Sequence, residues 1–391
     1  MLTKNIKFKN FLVKTKNKNT KNIFLNLIKN SLFGREKILN SLSENYKYSF
    51  DKKFVKKYKK FNNFRLIGMG GAILGAEAIH DFLKHKIKKN FYFFNNLQNH
   101  IYLKKYNNKI INLVISKSGN TLETISNSNI LIKKNKRNIF ITEDSNNYLN
   151  NLAKKMKSEI IEHKNYIGGR YSVLSEVGML PAELMGLSSR KFKRFNYLIK
   201  NKIFVNQLIQ NVSGTINQIK KGKLVSVILN YDQKSENLFK WYQQLIAESL
   251  GKKSKGILPI ISTMPKDNHS LMQLYLDGPK KFFYTFFSVI DKKSNYIKKH
   301  NLQNTHHFLK DKNLQNIVSS QKLATENIFK RKNIPYRSFE IYNRSEETLG
   351  EIFTFFILET ILLGKILKVN PYDQPSVELI KKETKKLLLQ N

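Results

Sequence analysis

Short apolar runs alternate with helix-like segments along most of the chain, and this alternation limits the possible folds more than any other feature. Alternation of this kind favours parallel sheets with helices on both faces. In the first half we predict strands at residues 64–68, 91–94, 110–115, 139–142 and 159–161. After Pro181 a second series begins, with strands predicted at residues 224–229, 257–261, 281–289 and 336–341.

The segments between and after these strands have the apolar spacing of helices, which we predict at 72–83, 190–220, 235–250, 267–276, 316–332, 345–367 and 375–389. At 391 residues the chain is long enough for two domains. We therefore predict an α/β fold with two three-layer αβα domains built on parallel sheets. The predicted parts are an N-terminal helical extension at 1–60, a first domain at 61–185, a second domain at 186–370 and a C-terminal helix at 371–391.

The charge balance is strongly basic, since 70 Lys and Arg face 28 Asp and Glu, for a formal net charge of +42. Such a balance is typical of proteins that bind nucleic acid or an anionic surface. The excess is nearly all lysine accompanied by asparagine, a pairing that indicates compositional drift at exposed positions, whereas a phosphate-reading surface would favour arginine. We favour drift and no specific nucleic-acid partner, and a functional polycation stays open as the alternative. Either way, the surface attracts anionic substrates at low salt.

The chain has no cysteine, which excludes disulfides, thiolate metal sites and thiol nucleophiles. Its histidines show no metal-ligand spacing with carboxylates, so we expect no metal. The N-terminus lacks the apolar stretch of a signal peptide. The longest apolar stretch, residues 352–367, is interrupted by Glu359 and Lys365 and is shorter than the roughly 20 residues of a membrane span. We expect a soluble cytoplasmic protein that does not associate with membranes.

A glycine cluster at residues 68–72, with the sequence GMGGA, follows the first predicted strand. Glycines at this position let backbone N–H groups approach a ligand closely. A dinucleotide fingerprint is excluded because its sixth position is Ile73, and because the next strand ends in Asn95 and Asn96 without an acidic residue for a ribose. The cluster is therefore either a ligand-binding turn or simply a tight turn.

Residues 116–124, with the sequence SKSGNTLET, follow the predicted strand 110–115. We predict that Asn120 caps the next helix and that Glu123 completes a capping box. The free N–H groups and the positive dipole end of this helix would then face a phosphate, with hydroxyl groups as further donors. The loop lacks the P-loop pattern, so no nucleoside triphosphate is implied. An ordinary helix cap is the alternative, and Lys117 inside the loop favours phosphate binding.

Four further segments carry residue types suited to proton transfer next to a carbonyl. Arg170 follows two glycines and could stabilise an enolate, and Glu248 ends a predicted helix in apolar company, where partial desolvation makes a carboxylate more basic. His269 supplies an imidazole, a side chain that can move protons at a ring oxygen. Gln374 and Lys381 are seven residues apart, which would place them on one helix face. Taken singly, Arg170, Glu248 and His269 each fit an ordinary surface position better, and the C-terminal segment fits an ordinary amphipathic helix.

Read in order, the segments SKSGNTLET, GGRYSVLS, ESLGK and NPYDQPSVEL resemble motifs of the glucose-6-phosphate isomerase family. The resemblance runs from about residue 64 to the C-terminus and leaves the role of residues 1–60 unassigned. It implies two sugar-isomerase domains, a homodimer, and a glycolytic and gluconeogenic enzyme that interconverts glucose 6-phosphate and fructose 6-phosphate through an enediol. It also implies that no cofactor is needed.

The resemblance also implies roles for individual residues. Glu248 would shuttle the proton between C2 and C1, and Arg170 would stabilise the enediolate. His269, reaching over from the partner chain, and Lys381 would assist ring opening. The phosphate and sugar would be held by Gly70, Gly71, Ala72, Ser116, Lys117, Ser118, Gly119, Asn120, Thr121, Gln244 and Gln374.

Two of these positions depart from the pattern of the family. Ala72 stands where the family usually has Ser, so one hydroxyl contact is lost, and Asn120 stands where Thr is common. Neither change removes a group with a proposed role in proton transfer. Two alternatives stay open: a non-catalytic phosphosugar-binding module, which would lack the base, the arginine or the histidine, and an isomerase that also accepts mannose 6-phosphate.

Overall fold

The computed structural model describes residues 1–11, 17–100, 110–133, 137–291, 293–299 and 302–390. Strands in this part of the chain are β1 Ile6–Lys9, β2 Asn63–Gly68, β3 Asn90–Phe94, β4 Ile110–Ile115, β5 Asn138–Thr142, β6 Glu159–Glu162, β7 Val225–Asn230, β8 Leu258–Thr263, β9 Phe282–Val289 and β10 Tyr336–Ile341. Helices are α1 Lys18–Leu32, α2 Lys37–Asn40, α3 Lys52–Lys59, α4 Leu74–Phe82, α5 Leu122–Leu131, α6 Tyr148–Lys155, α7 Glu176–Leu184, α8 Ser189–Phe192, α9 Phe195–Lys200, α10 Lys202–Lys220, α11 Glu236–Leu250, α12 Met272–Asp277, α13 Leu314–Arg331, α14 Glu346–Leu367 and α15 Val377–Gln390.

The strands form two five-stranded sheets, which confirms the predicted α/β fold with parallel sheets. The first sheet has the order β3-β2-β4-β5-β6, and all of its strands are parallel. The second has the order β1-β10-β9-β7-β8 and is parallel except for β1, which is antiparallel to β10. Parallel strands require crossover connections, and the helices between the strands supply them.

Both faces of each sheet are covered by apolar side chains, because successive residues of a strand point to opposite faces. In β2, Leu66 faces a large central core, whereas its neighbour Ile67 faces a smaller cluster next to α5 and α6. In β7, Ile228 belongs to the central core, whereas Val227 packs in a third cluster with residues of β9 and α13. The central core is thus shared by the two sheets and fixes the elements between them.

The structure differs from the sequence prediction near the N-terminus. The helical prediction for residues 1–60 is wrong over Ile6–Lys9, which form an edge strand of the second sheet. This strand has only two apolar residues, Ile6 and Phe8, both buried, and so gives little periodic signal. Side chains of Thr3 and Asn5 donate hydrogen bonds to the buried carboxylate of Glu351, at 2.7 Å for Thr3. The start of the chain is therefore built into the second sheet.

The predicted helix 190–220 is three helices, α8, α9 and α10. Asn201 causes the second break, because its side chain accepts hydrogen bonds from the N–H groups of Ile203 and Phe204 and so begins α10. The first break is at Lys193, whose backbone is extended. The predicted helix 267–276 is likewise shorter, since only Met272–Asp277 is α-helical.

Loops at the carboxyl edge of the first sheet line one end of a cavity. They follow β2, β4, β5 and β6, and in a parallel sheet such loops all emerge at the same edge. Helix α11 of the second half packs against α4 and brings its polar residues to the same place. No helix in the described part of the chain has the length and apolar character needed to cross a bilayer.

Candidate active site

A cavity of about 410 Å³ lies between the carboxyl edge of the first sheet, helix α11 and the segment that leads into α15. This volume falls within the range of small-molecule sites. Eleven residues singled out from the sequence line it: Gly71, Ala72, Ser116, Lys117, Ser118, Thr121, Arg170, Gln244, Glu248, Gln374 and Lys381. Segments that lie far apart in the chain therefore meet around one space.

The loop after β4 leaves the start of α5 open towards this cavity. Thr121 is the N-cap residue, yet its side chain makes no capping hydrogen bond, and its hydroxyl instead lies 2.8 Å from that of Ser116. Gly119 has φ +64, and a Cβ there would be 1.9 Å from Asn147 Oδ1, so only glycine fits. Uncapped N–H groups and paired hydroxyls form a suitable site for a phosphate.

Lys117 is fixed by its backbone and partly buried by its surroundings. Its carbonyl oxygen accepts hydrogen bonds from the N–H group of Glu143 at 3.0 Å and from the Thr142 hydroxyl at 3.1 Å. Burial lowers the pKa of the Lys117 ammonium, and the carboxylate of Glu143 opposes that effect. A partly desolvated ammonium inside the loop would interact strongly with a bound phosphate dianion.

Asn120 does not have the role predicted for it. The N-cap of α5 is Thr121, and Asn120 Oδ1 accepts a hydrogen bond of 3.0 Å from the N–H group of Tyr148, the first residue of α6. Its amide side chain therefore bridges two loops and leaves the end of α5 uncapped. Asn120 and Gly119 also do not line the cavity.

Arg170 is the most fully engaged polar side chain of the site and is only 1% exposed. Its Nε donates to Ser249 Oγ at 2.7 Å, and its Nη2 donates to the carbonyl oxygens of Pro371 and Asp373 at 2.7 and 3.1 Å. Its Nη1 donates to Glu248 Oε1 at 2.8 Å and to Gln374 Oε1 at 2.9 Å. These contacts use all five N–H groups of the guanidinium and hold it in one orientation.

Glu248 lies in the last turn of α11 with its carboxylate towards the cavity. One oxygen accepts from Arg170, and the other accepts from Gln244 Nε2 at 2.9 Å, so both oxygens are fixed. Gln244 is one helical turn earlier on the same face, which explains why the two side chains meet. The Glu248 side chain is 21% exposed, so a ligand in the cavity can reach it.

The glycine turn after β2 brings the backbone of one loop against another. A Cβ on Gly71 would lie 2.2 Å from the carbonyl carbon of Gly169, so this contact requires a glycine. Gly70 has φ +54, and a Cβ there would be 3.0 Å from Gln244 Nε2. The turn therefore positions both the Arg170 loop and Gln244, and Ala72 lines the cavity beside it.

The expected shared helix face of Gln374 and Lys381 is wrong, because α15 begins at Val377 and Gln374 precedes it. Both residues nevertheless line the cavity. Gln374 is held by Arg170, and Lys381 Nζ donates to Glu378 Oε1 at 2.6 Å. The turn at Pro371–Gln374, rather than helical spacing, brings the two together.

His269 lies outside the cavity of this chain. It is exposed, at the end of a short 3-10 turn of residues Lys266–Asn268. Asp267, two residues earlier, fixes this turn by accepting a 2.7 Å hydrogen bond from the N–H group of Thr263. An exposed histidine on a fixed turn is available to another molecule but not to the cavity of its own chain.

Four polar residues that line the cavity were missed from the sequence: Glu143, His163, Ser172 and Glu378. Glu143 and His163 directly follow β5 and β6, so the position of the loops after parallel strands could have predicted them. Burial and the nearby Lys117 lower the pKa of His163 to about 4, which keeps its imidazole neutral. Across the described residues, no group of three or more His, Cys, Asp or Glu is placed to hold a metal ion.

The two largely parallel sheets covered by helices, the hydroxyl-rich loop at a helix start and the facing carboxylate define the class of the phosphosugar isomerases. The family model described as phosphoglucose isomerase matches residues 52–391. The chain belongs to the phosphoglucose isomerase family.

Individual relatives agree with this assignment. A probable glucose-6-phosphate isomerase of Methanococcus maripaludis is 34% identical over 346 residues, which cover 83% of this chain and 78% of the relative. A glucose-6-phosphate isomerase of Methanocaldococcus jannaschii is 33% identical over 361 residues, 85% of this chain and 87% of the relative. The similarity therefore extends over most of both proteins.

Solved structures agree on the fold. A hypothetical protein of Thermus thermophilus superposes with a TM-score of 0.82 at 20% identity, covering 95% of this chain and 94% of that one. A glucose-6-phosphate isomerase of Chlamydia trachomatis superposes with a TM-score of 0.71 at 16% identity, covering 92% of this chain and 74% of that one. Identity at this level supports the architecture alone.

Proposed function

We propose that this chain is a glucose-6-phosphate isomerase, which interconverts glucose 6-phosphate and fructose 6-phosphate. One observation carries the proposal: a single cavity joins a phosphate-binding type of loop to a carboxylate that an arginine holds in place. Isomerisation moves a proton between the carbonyl carbon and the carbon next to it, which requires a base, a stabiliser for the enediolate and an anchor for the phosphate. The family and the relatives support the same reaction.

Glu248 is the proposed base that carries the proton between C2 and C1. Its two oxygens are fixed by Arg170 and Gln244, so the carboxylate has one orientation before the substrate arrives. A base held in advance avoids the entropic cost of being positioned in the transition state. The same two donors limit how far the carboxylate can rotate. A carboxylate held in this way suits proton transfer between C2 and C1 on one face of the sugar.

Arg170 is the proposed stabiliser of the enediolate. Its Nη1, bonded to Glu248 and Gln374, lies at the cavity wall, so the positive charge of the guanidinium would face the reacting oxygens of the sugar. A guanidinium that is already held requires no reorganisation when negative charge develops. Gln374, Gly71 and Gln244 line the cavity around it and are proposed to contact the sugar.

The phosphate anchor is proposed to consist of Ser116, Lys117, Ser118 and Thr121 at the start of α5. Hydroxyls, one ammonium and uncapped N–H groups offer a phosphate both charge and several donors. Binding energy from the phosphate can then position the reacting carbons against Glu248, although the phosphate itself does not react.

For ring opening we propose Lys381 and the His269 of a second copy of this chain. Lys381 lines the cavity, whereas His269 is exposed on a fixed turn outside it, so a homodimer would supply the missing group. Imidazole titrates close to neutral pH and suits proton transfer at a ring oxygen. A cytoplasmic location is proposed from the glycolytic reaction itself.

The decisive experiment is a coupled assay for conversion of fructose 6-phosphate by the purified chain, run with and without a chelator. We expect turnover that the chelator does not change. Turnover that the chelator abolishes would contradict the proton-transfer mechanism proposed for these side chains, and phosphosugar binding without turnover would support a binding module instead.

Glu248→Gln tests the base within the same assay. Because glutamine keeps the shape of the side chain but cannot accept the proton, we expect turnover to fall by about 10²- to 10⁴-fold while phosphosugar affinity stays within about threefold. Glu236→Gln, at the exposed start of the same helix, is the matched control and should leave turnover unchanged. Near-normal turnover of Glu248→Gln would remove it as the base.

A further inference from the structure

A second cavity, of about 450 Å³, lies at the amino ends of β7, β9 and β10. It shares no lining residue with the candidate active site. Its walls come from the residues just before these strands and from the ends of α12 and α13. A volume of this size accommodates a small metabolite.

The floor of this second cavity is aromatic. Tyr275 and Tyr284 are buried and pack at 5.4 Å between ring centroids, and Phe282 lies 6.2 Å from Tyr275. Ile334 and Pro335 complete an apolar surface beside these rings. The rings meet edge to face, at 69° between planes in both pairs, so the accessible apolar surface comes mainly from the partly exposed Phe282, Ile334 and Pro335. This surface offers an apolar group of a ligand van der Waals contact.

The rim of the second cavity is cationic. It carries Lys223, Lys280 and Lys332, which come from three different segments. Asp277 is the lining carboxylate, and it is 68% exposed and 3.7 Å from Lys332 Nζ, so Lys223 and Lys280 are left without an acidic partner among the lining residues. The positive charge at the rim therefore exceeds the negative charge that could balance it.

Lys223 is held in place and is not an ordinary surface lysine. It is partly buried, and its Nζ donates to the carbonyl oxygen of Lys280 at 2.8 Å. Burial lowers the pKa of the Lys223 ammonium, and Lys221, Lys280 and Lys281 lower it further by repulsion. Repulsion between these lysines raises the free energy of the empty cavity. A bound anion would relieve it.

The positive rim continues into an adjoining cavity of about 320 Å³. The two cavities share Lys223, Asn333, Ile334 and Pro335. The adjoining cavity adds two further lysines, Lys221 and Lys330. A ligand that carries a ring and several phosphate groups could therefore place the ring in the second cavity. Its phosphates would then lie beside Lys223, which both cavities share.

We propose that this second cavity binds a phosphorylated metabolite with a flat ring, of the class of nucleoside di- and triphosphates. The ring would lie against Phe282, Ile334 and Pro335, and the phosphates would lie against Lys223 and Lys280. This ligand and this site are separate from the phosphosugar and its cavity.

The test is isothermal titration of the full chain with ATP in chelator-containing buffer near physiological salt. We expect one site per chain, occupied equally when fructose 6-phosphate is saturating. Adenosine and tripolyphosphate supply only the ring or only the phosphates, so each should bind at least about tenfold more weakly than ATP. Displacement of ATP by fructose 6-phosphate, or no detectable binding, would overturn the proposal.

Charge-matched variants separate this site from general attraction to a basic protein. The double variant Lys223→Gln/Lys280→Gln should weaken ATP binding by about tenfold or more, because both proposed phosphate partners are lost. The double variant Lys52→Gln/Lys53→Gln removes the same charge from exposed positions of α3 and should change binding by less than about twofold. Equal weakening in both variants, or tripolyphosphate binding as tightly as ATP, would contradict a specific nucleotide site.

Discussion

Arg170 connects the two halves of the candidate active site through hydrogen bonds to Ser249, Glu248 and the segment Pro371–Gln374. Its partners include two backbone carbonyl groups, which no sequence pattern identifies as arginine ligands. Their geometry depends on the planar fork of the guanidinium, which presents donors in fixed directions. A residue that merely preserved the charge would therefore not preserve the site.

Arg170→Lys tests this dependence. A lysine has one ammonium and cannot reach all the partners, so Glu248 and Gln374 lose their fixed donor. We expect kcat for fructose 6-phosphate to fall by about 10²- to 10³-fold, measured by steady-state kinetics. Arg190→Lys, an exposed arginine, is the control and should stay within about twofold. A kcat near that of the unchanged chain would show that charge alone suffices.

At the scale of single residues, the sequence indicates the chemical groups better than their contacts. Arg170, Glu248 and Gln374 were singled out, but each fits an ordinary surface position until the fold brings them together. Asn120 was predicted from a local pattern to cap α5, yet its side chain accepts a hydrogen bond from the N–H group of Tyr148 at the start of α6. No local sequence motif marks His163 as a site residue. Only its position directly after strand β6 places it at the cavity.

At the scale of elements, the strands were predictable because buried parallel strands are short apolar runs between polar segments. The exceptions have physical causes. Strand β1 has two buried residues in four and lies at a sheet edge, so its signal is weak. The long helix prediction for 190–220 ignored Asn201, whose short polar side chain begins a new helix.

Close contact between two loops is a further property of elements that the sequence does not specify. The turn at Gly71 and the loop at Gly169 touch backbone to backbone, with no room for a methyl group. Both loops carry residues that line the cavity. Their contact therefore fixes the two loops relative to each other at the cavity wall.

Gly71→Ala tests this contact. A Cβ at Gly71 would lie 2.2 Å from a backbone carbon, so the loops must separate, and we expect kcat/KM to fall by about tenfold or more and the melting temperature to fall by several degrees. Gly168→Ala is the matched control, since its nearest neighbours would be 3.8 Å away, and it should be tolerated. Steady-state kinetics and thermal unfolding measure both variants. Equal kcat/KM values and equal melting temperatures for Gly71→Ala and Gly168→Ala would contradict the proposed loop contact.

At the scale of the whole molecule, the N-terminal region is attached to the body around a buried lysine. Lys193 Nζ donates to the carbonyl oxygens of Ser41 and Leu174, and its ammonium lies 4.7 and 4.9 Å from the ring centroids of Tyr46 and Tyr48. Tyr46 in turn donates to the carboxylate of Glu176. Burial lowers the pKa of Lys193 to about 7, and Glu176 opposes this effect.

This depressed pKa makes stability depend on pH. Below pH 7 Lys193 is protonated in both the folded and unfolded states, so the cost of burying the charge is present in full. From pH 7 towards 10.5 the unfolded chain binds a proton that the folded chain lacks, and stability rises with pH by up to about 1.4 kcal/mol per pH unit.

Lys193→Met should remove this rise, which chemical denaturation at pH 6 to 9 would measure. The unchanged chain should gain stability relative to the variant across this range, because methionine does not titrate. Lys191→Met, at an exposed neighbouring position, should keep the pH profile of the unchanged chain. Parallel profiles for the unchanged chain and Lys193→Met would refute the assignment of the titration to Lys193.

The bonds from Arg170 to the turn before α15 also have a consequence for synthesis on the ribosome. Arg170 and Gln374 are 204 positions apart, so at about 5–20 residues per second the nascent chain carries the arginine for roughly 10–40 s before its last partner exists. During this interval the guanidinium lacks Gln374 and the Pro371 and Asp373 carbonyls. The arrangement of Arg170 proposed for catalysis is therefore completed late in translation, and a polypeptide that ends before residue 371 lacks these three contacts.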